Sequence, residues 1–125
     1  MKTELNEIEV NGVSYVKKES IQNYEKAEKL DGMKYVIIRT YSAGVHAGYL
    51  ESEDGKIVVL RNARRIWYWD GAASLSQLAM EGTNKPDNCQ FPCEVDRIKL
   101  TEAVEIIDCT EKARLSIKAV KVWRK

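Results

Sequence analysis

Two runs, KYVIIRTYS at residues 34–42 and KIVVLRNA at 56–63, constrain this chain more than any other feature. Both are dense in β-branched and aromatic residues, which crowd the preceding turn of a helix but fit a pleated surface, so both are expected as strands. Between them lies AGVHAGYLES, interrupted by Gly44 and Gly48, and then Glu53-Asp54-Gly55, expected as a hairpin loop. Asn62-Ala63 is expected to form a bulge before RRIWYW continues or bends the strand. Downstream, EVDRIKL and AVEIIDC read as two further strands. AASLSQLAME reads as a helix that starts after Asp70-Gly71 and stops at Gly82, with Leu75, Leu78 and Ala79 as its apolar stripe. Thr110 can cap a second short helix, EKARLSIKA, and VKVW is a closing strand or tail. The expected architecture for residues 34–125 is α+β, a mainly antiparallel sheet with one or two short helices.

Residues 1–33 read differently. Asn11-Gly12 between Ile8/Val10 and Val13/Tyr15 is a type I′ hairpin signal, because both central residues of that turn need positive φ. Ser20 can cap a helix through Ile21, Tyr24, Ala27 and Leu30, ended by Asp31-Gly32. A hairpin plus one short helix is marginal alone. The segment is therefore expected as an N-terminal hairpin and helix arm, serving homo-oligomerisation or docking, or packing as an extra layer on the main domain.

The 125 residues suffice for a core without disulfide staples, and the net charge of +1 gives no general pull toward nucleic acid or anionic lipid. MKTELNEIEV lacks an apolar core of signal-peptide length and no window approaches a membrane span, so a soluble intracellular protein with no membrane partner is expected. Three cysteines, an odd number, suit a reducing compartment.

The functional signal concentrates in NARRIWYWDGAASLSQLAMEG, residues 62–82. In strand geometry Arg65, Trp67 and Trp69 share one face, and Arg64, Ile66 and Tyr68 the other. Each face sets a guanidinium beside aromatic rings, an arrangement that can hold a nucleobase. The turn into the helix through Gly71 would leave amides near Ala72, Ala73 and Ser74 without partners, ready for phosphate or carboxylate. Together these residues describe a nucleotide-type site. The competing reading is a core strand with snorkelling arginines and Asp70 as the helix N-cap, which would repel an anion at the same place. The accessibility of Trp67 and Trp69 and the role of Asp70 decide between them.

His46, the single histidine, sits among small residues where another backbone or a ligand comes close, and joins the candidate ligand-binding set. Cys89-x3-Cys93 with Cys109 and His46 is only half of a zinc pattern, so no metal and no cofactor is expected. The chain has no Gly-x-Ser-x-Gly elbow, no phosphate loop and no His-Glu-x-x-His, which leaves no catalytic motif and favours a non-enzymatic protein.

KYVIIRTYSAGVHAGYLES, NARRIWYWDGAASLSQLAMEG, FPCEV and LTEAVEIIDCTEKARLSIKAVKVW resemble a family of small bacteriophage and prophage proteins known as a domain of unknown function. The similarity covers about residues 34–123, and its most recognisable part is Arg-Arg-x-Trp-Tyr-Trp-x-Gly-Ala. NGVSYVKK resembles an arm found on various phage proteins. The resemblance implies a phage origin and action in the host cytoplasm during infection or in the virion. The leading expectation is a binding protein, with counter-defence as its role, whose partner is a nucleotide-like small molecule or a host protein. A minor virion component packed on other virion proteins is the second, and a nucleic-acid-binding module the third.

Overall fold

A computed structural model describes residues 25–125, and the expected hairpin around Asn11-Gly12 and the helix start at Ser20 lie outside the described residues. Five strands form one sheet: β1 Tyr35–Thr40, β2 Val45–Asp54, β3 Ile57–Arg65, β4 Val95–Leu100 and β5 Ala103–Asp108. Their order is β4-β3-β2-β1-β5, with every neighbouring pair antiparallel. Two short helices, α1 Leu75–Glu81 and α2 Glu111–Ala119, and a 3-10 turn at Pro86–Asn88 complete the α+β architecture.

The sheet is curled. β4 and β5 are its two edges, yet only Thr101 and Glu102 separate Leu100 from Ala103. Three Cα steps reach about 11 Å, whereas the edges of a flat five-stranded sheet stand about 19 Å apart. The edges must therefore converge at this corner. There the Tyr41 amide donates to the Glu102 carbonyl at 2.9 Å and the Ala103 amide to the Lys56 carbonyl at 3.0 Å.

Curling divides the apolar residues between two faces. Inside the curl, Val36 and Ile38 pack with Val58, Leu60, Ala63, Leu100 and Ala103. On the outer face, Tyr35 and Ile37 pack with Tyr49, Leu78, Phe91 and Ile117, under both helices. The first four residues of β1, Tyr35 to Ile38, are thus covered on both sides, which is why they are an unbroken apolar run rather than an alternating one.

The bulge at Asn62-Ala63 is present. Asn62 has φ 50°, and the register jumps from Ala47↔Arg64 to Tyr49↔Arg61, which sets two residues against Gly48. A Cβ on Gly48 would lie 3.0 Å from the Arg61 carbonyl oxygen, so this crowded crossing needs a glycine.

Several expectations are corrected. Residues 25–30 are extended rather than helical: Lys26 bridges Thr110, and the Ala27 amide donates to the Cys109 carbonyl at 3.3 Å. Asp31 and Gly32, at φ 51° and 82°, form a two-residue turn around which Leu30 and Met33 exchange both backbone hydrogen bonds. Two successive positive φ values suit a tight hairpin, and that outcome displaced the helix end. α1 begins at Leu75, not just after Gly71, although Gly82 ends it as expected, its amide bonding the Leu78 carbonyl at 2.9 Å. Of the two readings of VKVW the structure has the tail, with one parallel bridge from Val122 to Phe91.

Candidate functional site

The two arginines separate. β3 ends at Arg65, and the bulge fixes Arg64 toward the outer face, where it pairs with Ala47 of that face's core. Arg64 is 4% exposed. Its guanidinium donates to the carbonyls of Ile117 at 2.8 Å, Pro92 at 3.0 Å and Phe91 at 3.1 Å, and lies 5.4 Å from the Phe91 ring centre. Ile117 is in the last turn of α2, where helix carbonyls carry partial negative charge. Those contacts set the Arg64 guanidinium on three backbone carbonyls of the fold. Arg65 is exposed, and among the described residues its guanidinium has no hydrogen bond or ion pair.

The tryptophans separate as well. Trp69 is half-buried against the outer core and donates its indole N–H to the Ala72 carbonyl at 3.3 Å. Trp67 is 59% exposed and stacks on Trp123, with ring centres 5.1 Å apart and planes inclined by 18°. Trp123 is held there because its amide donates to the Phe91 carbonyl at 2.9 Å. Tyr68, 49% exposed, bridges Gln90 and shares a shallow hollow with Trp123, Asp70 and Asp87. Three large rings therefore stand together on the surface. Trp123 was not singled out from sequence, because one aromatic residue in a short tail gives no sign of what it stacks on.

Asp70 does not cap α1. Its carboxylate accepts the Gly71 amide at 2.8 Å and the Asn88 side-chain amide at 3.0 Å, and these bonds hold its pKa below the ordinary value. The cap is Ser74, whose hydroxyl accepts the Gln77 amide at 3.1 Å, while Gln77 reaches back to accept the Ala73 amide at 2.8 Å. This reciprocal pair takes up the Ala73 and Gln77 amides, two of the donors at the helix start. Gly71, at φ 85°, packs so tightly on Thr83, Asn84 and Lys85 that a Cβ would meet the Lys85 amide nitrogen at 2.5 Å. Gly71 is thus closed off by the 83–85 loop, and of the amides of Ala72, Ala73 and Ser74 that of Ala73 is taken by Gln77.

His46 is 1% exposed and sits opposite Arg65 in the β2–β3 ladder. Its Nε2 donates to the Ala43 carbonyl at 2.9 Å. Burial lowers its pKa, the Ala43 bond opposes that shift, and the Arg65 charge adds to it, so the ring is neutral near pH 7. The set chosen from sequence is therefore dispersed: Arg64, Trp69 and residues 71–74 serve the fold, Trp67 joins the aromatic surface, and Arg65 and His46 flank a separate hollow. Among the described residues no cluster of His, Cys, Asp and Glu could hold a metal ion, and no helix is long and apolar enough to cross a membrane.

A family model described as Domain of unknown function (DUF6948) matches residues 33–117. The chain belongs to this family. The DUF6948 match takes in the whole sheet and most of α2, and also Arg65, Trp67 and His46, while Trp123 lies beyond it. Neither the curated proteins nor the solved structures compared with the chain give a significant match.

Proposed function

We propose that this chain is a non-enzymatic binding protein of bacteriophage or prophage origin, acting in the host cytoplasm, that engages a host protein through Trp67, Tyr68 and Trp123. The observation that carries this reading is the Trp67–Trp123 stack standing in solvent beside Tyr68. Rigid aromatic side chains supply large contact area at little entropic cost, and they dominate the centres of protein interfaces. A nucleotide-like ligand fits this surface less well. Its phosphates would need donors, yet Arg64 is turned into the fold and the Ala73 and Gln77 amides at the α1 start are engaged. Asp70 and Asp87 line the hollow beside Tyr68 and Trp123, and their charge repels phosphate. A protein partner offering an aliphatic or proline side chain flanked by a basic group satisfies both features. The phage setting is supported by the sequence resemblance described above.

A photo-crosslinking residue in place of Tyr68, expressed in bacterial host cells, tests the reading, with the same residue in place of Ile57 as control. A single host-protein adduct is expected from position 68, absent from position 57 and lost when Trp67→Ala is added. No adduct at position 68, or saturable heat with a nucleotide that Trp67→Ala abolishes in calorimetry, would overturn it.

A further inference from the structure

A second hollow, about 220 Å³, opens at the end of the β3–β4 ladder away from the Leu100–Ala103 corner. Its walls are Ala63, Pro92, Val95 and Ile98, and its polar groups are His46 and Arg65, with the exposed thiol of Cys93 at the rim. His46 and Arg65 are directly paired residues of adjacent strands, so their side chains lie side by side on one sheet face. Ile38 pairs with His46 from the other side and belongs to the core inside the curl, which identifies that face as the inner one. Apolar clefts at the mouths of curled sheets with a few convergent polar groups are the common form of small-molecule sites.

Two observations give this hollow a chemistry. The Arg65 guanidinium is without a hydrogen bond or ion pair among the described residues, leaving a planar fork of donors that matches a carboxylate. His46 is 1% exposed and has one ring nitrogen engaged, Nε2 with the Ala43 carbonyl. Nδ1 is then a buried acceptor with no donor among the described residues, which is costly unless an incoming molecule supplies one.

We propose that this hollow binds a small aliphatic carboxylate that also carries a hydroxyl, with Arg65 holding the carboxylate, Nδ1 of His46 accepting the hydroxyl proton, and Ala63, Val95 and Ile98 covering the aliphatic part. The volume corresponds to about seven water molecules at their liquid volume, which sets the scale at a branched hydroxy acid. A bare phosphate fits poorly, since the walls are hydrocarbon and it leaves them uncovered. Cys93 reports occupancy, because a molecule seated in the hollow blocks access to the thiol at its rim.

The test is the rate of Cys93 alkylation in the full chain with 2-hydroxy-3-methylbutanoate, its amide, 3-methylbutanoate or inorganic phosphate. The hydroxy acid is expected to protect Cys93 in a saturable way and to shift the His46 ring nitrogens in NMR spectra. The amide, 3-methylbutanoate and R65Q should each weaken that protection about tenfold or more, the usual worth of one charge-assisted or buried hydrogen bond. Arg65 is exposed, so R65Q keeps the fold, and an unchanged thermal midpoint verifies this. Absence of protection by the hydroxy acid, equal protection by the amide or 3-methylbutanoate, or protection by phosphate alone would overturn the proposal.

Discussion

The Arg64 guanidinium donates to the Ile117 carbonyl across 2.8 Å, and that bond joins the end of β3 to the last turn of α2. The same side chain also holds the Phe91 and Pro92 carbonyls, so one residue fastens three segments that are distant in sequence. Arg64→Met removes every donor while keeping most of the stem: the Pro92 carbonyl loses its bond, while the Phe91 and Ile117 carbonyls keep those of the Trp123 and Val120 amides, so a loss of about 1–3 kcal/mol is expected. The urea midpoint of Arg64→Met is therefore expected to fall by more than that of any other arginine in β3. Arg64→Lys should recover only part of the loss, because an ammonium cannot address three carbonyls in a planar fork.

This relationship also shows what the sequence can convey. Strand alternation assigns Arg64 and Arg65 to opposite faces, and the structure keeps that assignment. Which face is covered depends on Phe91, Pro92 and α2, and no local pattern in RRIWYW encodes their arrival. The bulge at Asn62, the stop at Gly82 and the cap at Thr110 were legible because each rests on a local backbone requirement. Asp70 and Ser74 are both good cap residues. Asn88, a long-range partner, captures Asp70 and leaves the helix to Ser74. The Trp67–Trp123 stack and the His46–Arg65 hollow likewise arise from tertiary placement.

Gly71 supports a second prediction. Its φ of 85° and its contact with Lys85 mean that Gly71→Ala meets backbone as well as an unfavourable conformation. Gly55 also has positive φ, at 61°, but open space around it. Gly55→Ala therefore isolates the conformational cost, about 1–2 kcal/mol. Gly71→Ala is expected to lower the thermal midpoint clearly further, and equal losses in the two variants would show that the 83–85 loop yields freely.

Acid stability should depend on Glu111. Its carboxylate accepts two bonds from Arg114, at 2.6 and 2.9 Å, and one from the Glu28 amide at 2.7 Å. The Arg114 bonds, then the Glu28 amide, hold its pKa at about 2 against an ordinary 4.5. A folded-state pKa depressed in this way contributes stability that is complete above about 4.5 and is lost as the pH falls toward about 2. Chemical denaturation across that window should show a steady loss, and Glu111→Gln should flatten part of it. Glu51 and Asp70, whose carboxyls are also held below their ordinary values by Arg97 and Asn88, add to the same slope.

The three cysteines should react in a fixed order. Cys93 is exposed, Cys89 and Cys109 are buried, and none is bonded to another. Burial, with a smaller contribution from Asp108, pushes the Cys109 thiol up to about 12, so almost no thiolate exists there at neutral pH. The thiolate is the species that alkylates, and a thiol that is both buried and protonated is inert. Cys89 contributes its sulfur to the loop instead, lying 3.5 Å from the Asp70 amide and carbonyl. Intact-mass measurement after brief alkylation is expected to show one adduct on native protein and three in denaturant. Peptide mapping should place the native adduct on Cys93. A second native adduct on Cys89 would mean that the loop joining Asp70, Thr83 and Cys89 opens in the folded protein, and Gly71→Ala should then raise that adduct's yield.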